Sequence, residues 1–242
     1  MAHRLAERSD LESPLKPPTR INTLLELSAP VDALSLLWRA PALIGAPRGD
    51  GRPLLLLPGF RADRYSMWPL KGFLKKLGYR VYDWEIGRND GDVDGMVEAV
   101  APQVETLAAR CGEPITLIAW SLGGAVAREL ARLYPDVVRE VITFGSPISG
   151  GPKYTAVAER FAESRTLDLD AFEQDVLARN KIGFSQPVTS IYSKSDGVVG
   201  WSASVDRYND QARNIVVDGK HFGLGVNASV WRAIADTLAR SD

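Results

Sequence analysis

Short runs of apolar residues recur along most of the chain, and polar turns separate them. Such runs are typical of strands that are buried on both faces of a parallel sheet. Between the runs, apolar residues return at helical spacing. Strands are expected at 53–57, 79–82, 115–120, 138–144, 188–192 and 215–217, and helices near 68–77, 93–110, 122–134 and 226–239. This alternation predicts an α/β fold, with a mostly parallel sheet and helices on both of its faces.

The interval 150–186 interrupts the alternation, because it is longer than a simple crossover needs. It is charged and helical in pattern, and Leu169, Phe172 and Val176 fall along one face. We interpret the interval as a short helical cap inserted into the main domain. A long crossover made of two helices is the alternative, and the sequence favours neither.

The chain before the first predicted strand forms a region of its own. Residues 1–20 are polar and contain three prolines, a composition typical of a loosely held arm. Residues 21–43 predict two short amphipathic helices, around Leu24 and around Leu34. Their polar faces carry no basic excess, so packing on the core is favoured over a membrane surface. The predicted division is an arm with helices at 1–52 and one domain at 53–242.

Composition and charge exclude several kinds of partner. The 29 basic and 30 acidic residues give a net charge of -1, which offers no basic surface for nucleic acid. A single cysteine, Cys111, and two histidines supply neither a disulfide nor a convincing zinc site. No secretory signal is evident, and no apolar stretch reaches the roughly 18 residues of a membrane span. We expect no metal, no organic cofactor, no nucleic-acid partner, no integral membrane segment and a cytoplasmic location.

One acidic segment imitates a metal site. Asp90, Asp92 and Asp94 match the opening of an EF-hand calcium loop. The last ligand position of that loop falls on Ala101, where calcium binding requires a glutamate, and a strand rather than a helix precedes the segment. We interpret these acids as favourable charges at the N-terminus of the following helix.

A serine lies between a predicted strand and a predicted helix, in the segment Ala119-Trp120-Ser121-Leu122-Gly123. Small residues on either side of the serine let the strand and helix backbones come close, and the tight turn exposes its hydroxyl. The pattern is that of a nucleophile elbow, with Ala119 at the position of the usual first glycine. Ser121 is therefore the predicted nucleophile.

A serine hydroxyl is a poor nucleophile until a base takes its proton. The chain has two histidines, His3 in the arm and His221 in the loop before the last helix. The carboxyl edge of a parallel sheet would bring His221 close to Ser121. Asp196 follows the preceding predicted strand at the same edge and is the predicted orienting acid. Asp218 competes for that role, but it lies so close to His221 along the chain that it is better suited to shaping the loop.

From about residue 53 onward the chain resembles the α/β-hydrolase family, and within it the lipases and esterases. The resemblance implies that Ser121, Asp196 and His221 act together in that order. It also implies a Gly-Arg-Asn-x-Gly loop without a metal and, because the family's first two strands are not evident, a sheet of about six strands. The segments that carry the resemblance are Leu56-Leu57-Pro58-Gly59-Phe60, Gly87-Arg88-Asn89-Asp90-Gly91, Trp120-Ser121-Leu122-Gly123-Gly124, Ser195-Asp196-Gly197 and His221-Phe222-Gly223-Leu224.

Acyl transfer also needs N–H donors for the negative oxygen that develops on the substrate. The backbone N–H of Leu122 lies at the start of a helix and gains from its dipole. The resemblance implies the backbone N–H of Phe60 as the second donor. Several aromatic side chains are candidates for lining a substrate pocket, with core packing as the alternative for each. They are Trp120, Trp201, Phe222 and Phe172.

Together these expectations describe a serine hydrolase that cleaves carboxylic esters through an acyl-serine intermediate. The resemblance and the aromatic candidates favour small-molecule or lipid esters with an apolar acyl chain. Thioesterases, acyltransferases, lactonases and amidases use the same machinery, and the elbow is also similar to that of pimeloyl-carrier-protein methyl esterases. A catalytically silent binding module on the same fold is an alternative of a different class.

Overall fold

A seven-stranded sheet lies at the centre of the computed structural model, which describes residues 3–28 and 40–240. Its strands are β1 (Arg4–Leu5), β2 (Pro53–Leu57), β3 (Arg80–Asp83), β4 (Ile115–Trp120), β5 (Val138–Phe144), β6 (Val188–Ser193) and β7 (Arg213–Val217). They are arranged in the order β1-β7-β6-β5-β4-β2-β3. Strands β2 to β7 run parallel, and β1 pairs with β7 in the antiparallel direction.

Helices lie before, between and after the parallel strands. They are α1 (Arg8–Glu12), α2 (Arg20–Leu25), α3 (Trp68–Leu77), α4 (Val93–Cys111), α5 (Gly123–Leu133), α6 (Ala158–Arg165), α7 (Leu169–Ile182) and α8 (Ala228–Leu238). Short 3₁₀ turns lie at Glu26–Ser28, Ala40–Leu43, Arg64–Met67, Gly151–Tyr154, Trp201–Ser204 and His221–Val226. Within the described residues, no helix combines the length and apolar character needed to cross a membrane.

Each face of the sheet is covered by its own apolar cluster. Leu54 and Leu56 of β2 face the cluster to which α3 and α8 contribute, whereas Leu55 and Leu57 face the cluster formed with α4 and α5. Alternate side chains of one strand thus enter two cores. The unbroken apolar runs in the sequence follow from this burial on both faces.

The elements predicted from the apolar pattern are present, and their ends lie within two residues of the predicted ones. The prediction of a mostly parallel sheet with helices on both faces is confirmed, and the six predicted strands are its six parallel strands. Strand β1 was not predicted. Two residues are too few to establish an alternating pattern.

The expectation of a loosely held arm is wrong for residues 4–12. Arg4 and Leu5 extend the sheet beside β7, with Arg4 opposite Val216. Asp10 is buried and accepts hydrogen bonds from the Tyr192 hydroxyl at 2.6 Å and the Lys194 ammonium at 2.5 Å. The arm is therefore anchored along the β6–β7 side of the sheet.

The predicted amphipathic helix around Leu24 exists as α2, but its apolar side does not pack on the core. Ile21, Leu24 and Leu25 are exposed, and the prediction of apolar packing is wrong for this helix. Its polar side chains make the contacts instead; the Thr23 hydroxyl, for example, donates to the carbonyl of Gly197 at 2.8 Å. The second predicted helix, around Leu34, lies outside the described residues.

The predicted cap, 150–186, contains a 3₁₀ turn followed by α6 and α7. A buried polar cluster fastens it to the main domain. Arg128 of α5 donates to Asp206 at 2.6 Å and to the amide oxygen of Asn180 in α7 at 3.2 Å. The amide nitrogen of Asn180 donates to the carbonyl of Ile148 at 3.0 Å. Arg128 and Asp206 are 4% and 0% exposed, so each charge depends on the other for compensation.

We expect Asp206→Ala to lower the free energy of unfolding by about 3–5 kcal/mol, because it leaves the Arg128 guanidinium buried without its counter-charge. Urea unfolding followed by circular dichroism measures the change. Glu12→Ala is the control, because it breaks the exposed pair with Arg8, and such a pair contributes less than about 1 kcal/mol. Equal effects of the two substitutions would contradict the argument.

Candidate active site

The turn between β4 and α5 has the backbone geometry of a nucleophile elbow. Ser121 adopts a φ of 53°, a left-handed conformation that costs free energy for a residue with a side chain. Its N–H donates to the carbonyl of Phe144 at 2.9 Å, which ties the turn to the end of β5. A Cβ atom at Gly123 would lie 2.6 Å from the carbonyl oxygen of Leu57, so only glycine fits there. Ala119 is fully buried at the end of β4.

Ser121, His221 and Asp196 form a continuous chain of hydrogen bonds. The Nε2 atom of His221 lies 3.0 Å from the Oγ of Ser121, and its Nδ1 atom lies 2.7 Å from the Oδ2 of Asp196. The other oxygen of Asp196 accepts the N–H groups of Val198 at 2.9 Å and Val199 at 2.7 Å. Both Asp196 and His221 are buried, whereas Ser121 is partly exposed. The chain leads from a buried carboxylate to an accessible hydroxyl.

The loop after β5 leaves room for this contact. Gly145 has a φ of +58°, and a Cβ atom there would approach the Nδ1 of His221 at 3.2 Å and the Oδ2 of Asp196 at 3.3 Å. A side chain at this position would press on both partners. Asp218, the competing acid, is exposed, and its carbonyl accepts a hydrogen bond from Asn227 at 2.8 Å. It is Asp196, and not Asp218, that contacts the imidazole.

Opposing effects act on the pKa of His221. Burial of the imidazole lowers its pKa, because the charged form loses water. The carboxylate of Asp196, through its charge and its hydrogen bond, and the nearby carboxylate of Glu26 act in the opposite direction. The net result is a pKa above the ordinary value of histidine.

Phe60 and Leu122, whose backbone N–H groups are the predicted oxyanion donors, line the same cavity as Ser121. Among the described loop residues, neither Phe60 nor Leu122 donates its N–H in a backbone hydrogen bond. Asn89 holds the turn that contains Phe60: its amide donates to the carbonyl of Pro58 at 3.0 Å, and its carbonyl accepts the N–H of Arg61 at 2.7 Å. The N–H of Arg61 is thereby occupied, and that of Phe60 is left available.

A cavity of about 540 Å³ opens beside Ser121 and His221. Trp120, Phe60 and Phe222 line it. Trp201 does not: it stacks on Tyr192 with ring centroids 6.0 Å apart, on the side where the arm is anchored. The assignment of Trp201 to the pocket is wrong, because Val198 and Val199 still line the cavity but the chain has left it by Trp201.

A second cavity of about 290 Å³ lies next to the first, between α5 and the cap. Phe172 and Val176 of α7 line this second cavity and not the one that contains Ser121. The assignment of Phe172 to the same pocket as Ser121 is therefore corrected. Both cavities share Phe161 of α6, whose ring meets that of Phe60 edge-on at 5.7 Å. Phe161 forms part of the wall between them.

Glu26 was not predicted to belong to this region. It is 7% exposed, and its carboxylate accepts the backbone N–H of His221 at 2.7 Å. The sequence contains no local signal for this contact, because Glu26 and His221 lie 195 positions apart. The role of Asn89 in holding the turn was also missed, although the loop that carries it had been identified by resemblance.

The remaining candidates lie elsewhere or form local structure. Asp92 caps α4 by accepting the N–H of Gly95 at 3.3 Å, and Asp94 pairs with Arg179. Among the described residues, no group of three or more His, Cys, Asp or Glu side chains could hold a metal ion. His3 lies 3.7 Å from Asp236. Cys111 contacts the Tyr82 hydroxyl at 3.5 Å.

Comparison with known proteins shows which family and which relatives the chain is similar to. Residues 54–240 match the Alpha/beta hydrolase family. A pimeloyl-[acyl-carrier protein] methyl ester esterase of Shewanella woodyi is 34% identical over 104 residues, which represent 40% of this chain and 37% of that protein. The chain thus matches well under half the length of this relative.

Solved structures show the same architecture. A lipase-esterase related protein from Clostridium acetobutylicum superposes with a TM-score of 0.55 at 20% identity, over 81% of this chain and 97% of that one. A monoacylglycerol lipase of Paleococcus ferrophilus superposes with a TM-score of 0.57 at 17% identity, over 81% and 97%. These superpositions show a common fold, and the α/β-hydrolase architecture predicted from the sequence is confirmed.

The two imidazoles are expected to titrate on opposite sides of the ordinary histidine pKa, about 6.5. The pKa of His221 is raised for the reasons given above, whereas burial and neighbouring arginines lower that of His3 despite Asp236. NMR titration of the ring protons measures both values, and His3→Gln assigns them. Asp196→Asn should lower the His221 value alone. A wild-type value for His221 below 6.5 would contradict the electrostatic argument.

Proposed function

Because the chain belongs to the alpha/beta hydrolase family, we propose that it is a serine hydrolase that cleaves carboxylic esters. The observation that carries this proposal is the hydrogen-bonded chain from Ser121 through His221 to Asp196. Ser121, whose backbone is strained, presents an accessible hydroxyl to the base His221, and the buried carboxylate of Asp196 lies on the far side of that base. Nucleophilic acyl transfer by a serine with a histidine base uses these groups in this order.

In the proposed mechanism, the Oγ of Ser121 attacks the ester carbonyl while its proton passes to the Nε2 of His221. The imidazolium then returns this proton to the alkoxide that leaves, and Ser121 retains the acyl group. Water attacks the acyl-serine with His221 again as the base, which releases the acid and restores the hydroxyl. Asp196 holds the imidazole with Nδ1–H toward itself, so that Nε2 carries the lone pair.

We assign to the backbone N–H groups of Phe60 and Leu122 the role of oxyanion hole. They would donate hydrogen bonds to the substrate's carbonyl oxygen when it becomes negatively charged. Within the described part of the chain, neither N–H donates to a backbone carbonyl in the loops and turns, and preorganised donors of this kind contribute strongly to catalysis. The N–H of Leu122 also lies at the start of α5, where the helix dipole favours negative charge. The position of Ser121 directly before Leu122 brings nucleophile and donor to the same carbonyl.

The proposed substrates are small-molecule or lipid esters with an apolar acyl chain. The cavity beside Ser121 is lined by aromatic side chains, including Phe60, Trp120 and Phe222. Apolar walls favour an apolar acyl or alcohol group, since burying each methylene contributes about 0.8 kcal/mol. The relative that acts on a methyl ester and the structural neighbours named as a lipase and a lipase-esterase related protein are consistent with an ester as the substrate class.

Ser121→Ala should abolish labelling by a fluorophosphonate probe and reduce hydrolysis of p-nitrophenyl butyrate by up to about 10⁶-fold, because nucleophile and base act as a unit. Mass spectrometry of the labelled wild-type protein should locate the probe on Ser121. Ser13→Ala, at an exposed serine of the arm, is the matched control and should retain both labelling and turnover. Labelling without turnover of any ester would favour a thioesterase or an amidase over an esterase, whereas absence of labelling would favour a silent binding module.

Phe161→Ala should extend the range of acyl chains that the protein accepts, because it removes part of the wall between the two cavities. We expect kcat/KM to rise for decanoyl relative to butyryl esters, by about fourfold for each methylene newly buried. Phe184→Ala is the matched control, since Phe184 packs against Arg128 and lines neither cavity. Unchanged chain-length preference in Phe161→Ala would show that the second cavity does not receive the acyl chain.

A further inference from the structure

The N-terminal segment places a carboxylate behind the proposed catalytic groups. Glu26 follows α2 directly, and its Oε1 atom accepts the N–H of Gly197 at 2.8 Å and that of His221 at 2.7 Å. Its Oε2 atom accepts the N–H of Phe222 at 3.1 Å. One side chain therefore binds the loop that carries Asp196 and the loop that carries His221.

The fit around Glu26 is close. A Cβ atom at Gly197 would lie 2.2 Å from the carbonyl oxygen of Asn22 and 2.8 Å from the Cγ of Glu26, so glycine is required for the segment to approach. Neighbouring contacts hold the same loops. The amide of Asn22 donates to the carbonyl of Lys194 at 3.1 Å, and the ammonium of Lys220 donates to the Ser28 hydroxyl at 2.6 Å.

We propose that Glu26 is a positioning residue that fixes the histidine loop against the acid loop and supplies a second negative charge to the His221 imidazolium. It contacts neither the imidazole ring nor the cavity beside Ser121, so it acts through the backbone and through its field. The inference rests on the proposed function, because that function requires His221 to become protonated in each half-reaction.

Two physical effects connect Glu26 to turnover. Its three N–H contacts fix the backbone at His221 and next to Asp196, and the distance between the two side chains depends on that backbone. Its charge adds to that of Asp196 in opposing the loss of hydration that burial imposes on the imidazolium. Asp196 and Glu26 are the ionisable groups that raise the pKa of His221, while the Lys220 ammonium is directed toward Ser28.

Glu26→Gln tests the proposal with little change in shape. The amide retains one oxygen for the N–H groups of Gly197 and His221, but it removes the charge and turns an NH₂ group toward the N–H of Phe222. We expect the NMR-measured pKa of His221 to fall while that of His3 stays constant. We also expect kcat/KM for p-nitrophenyl butyrate to fall about tenfold to hundredfold. Losses of this size follow in metalloenzymes when a residue that orients a functional histidine is removed.

Two control variants separate charge from anchoring. Glu7→Gln makes the same chemical change at an exposed position of the arm and should alter neither value. Thr23→Val removes the hydrogen bond to the Gly197 carbonyl but retains the Glu26 charge, so the pKa of His221 should stay at the wild-type value. A fall in that pKa in Thr23→Val equal to the fall in Glu26→Gln would reduce Glu26 to a merely structural contact and overturn the proposal.

The titration does not depend on any substrate. If the wild-type protein hydrolyses no ester, the proposed function fails, yet the shift of His221 in Glu26→Gln still tests the electrostatic link. If esters are hydrolysed and Glu26→Gln matches wild type in both pKa and kcat/KM, the inference about Glu26 fails alone. Should Glu26→Gln not fold, hydrogen exchange of the wild-type protein decides. Slow exchange of the Gly197 and His221 amides supports the proposal that Glu26 fixes the two loops, and fast exchange overturns it.

Discussion

The buried contact between Asp196 and His221 is the constraint around which the carboxyl edge of the sheet is organised. A carboxylate that is 2% exposed requires compensation for every lone pair it brings out of water. Asp196 meets this requirement with the N–H groups of Val198 and Val199 on one oxygen and the imidazole on the other. Since Nδ1 is thereby engaged, Nε2 is directed at Ser121. The loop after β5 accommodates the contact by having glycine at position 145.

The left-handed backbone of Ser121 depends on the same edge. The ends of two neighbouring strands hold it. The carbonyl of Phe144 in β5 accepts its N–H, β2 leads to Gly59, and the carbonyl of Leu57 in β2 lies against Gly123. An ideal Cβ at Gly59 would come within 3.1 Å of the Ser121 Cβ. A strained conformation of this kind persists only where the surroundings leave no alternative. The parallel strands supply this rigidity, and the hydroxyl remains accessible.

The sequence was sufficient to predict the elements that follow directly from buried strands. Ser121, Asp196 and His221 each follow one of the short apolar runs that predict strands, and the carboxyl ends of parallel strands meet at one edge. The predictions failed where contacts depend on distant segments. Strand β1 has two residues and no pattern, Trp201 follows a turn that leads away from the site, and Glu26 reaches His221 across 195 positions. The apolar residues of α2 favoured inward packing, but they are exposed, and the buried side chain is that of Glu26 in the turn that follows the helix.

The predicted division between residues 1–52 and 53–242 therefore reflects the sequence pattern, whereas in the structure the two parts are in contact. Arg4 and Leu5 complete the sheet edge, Asp10 binds Tyr192 and Lys194, and Glu26 binds both loops beside the proposed catalytic groups. A buried imidazole resists protonation because it loses hydration, and a nearby carboxylate opposes that effect. Glu26 of the N-terminal segment supplies a second carboxylate, and the net effect raises the pKa of His221 above its ordinary value. Under the proposed mechanism, Glu26 thus contributes to the charge balance of each proton transfer, although it lies outside the matched family region 54–240.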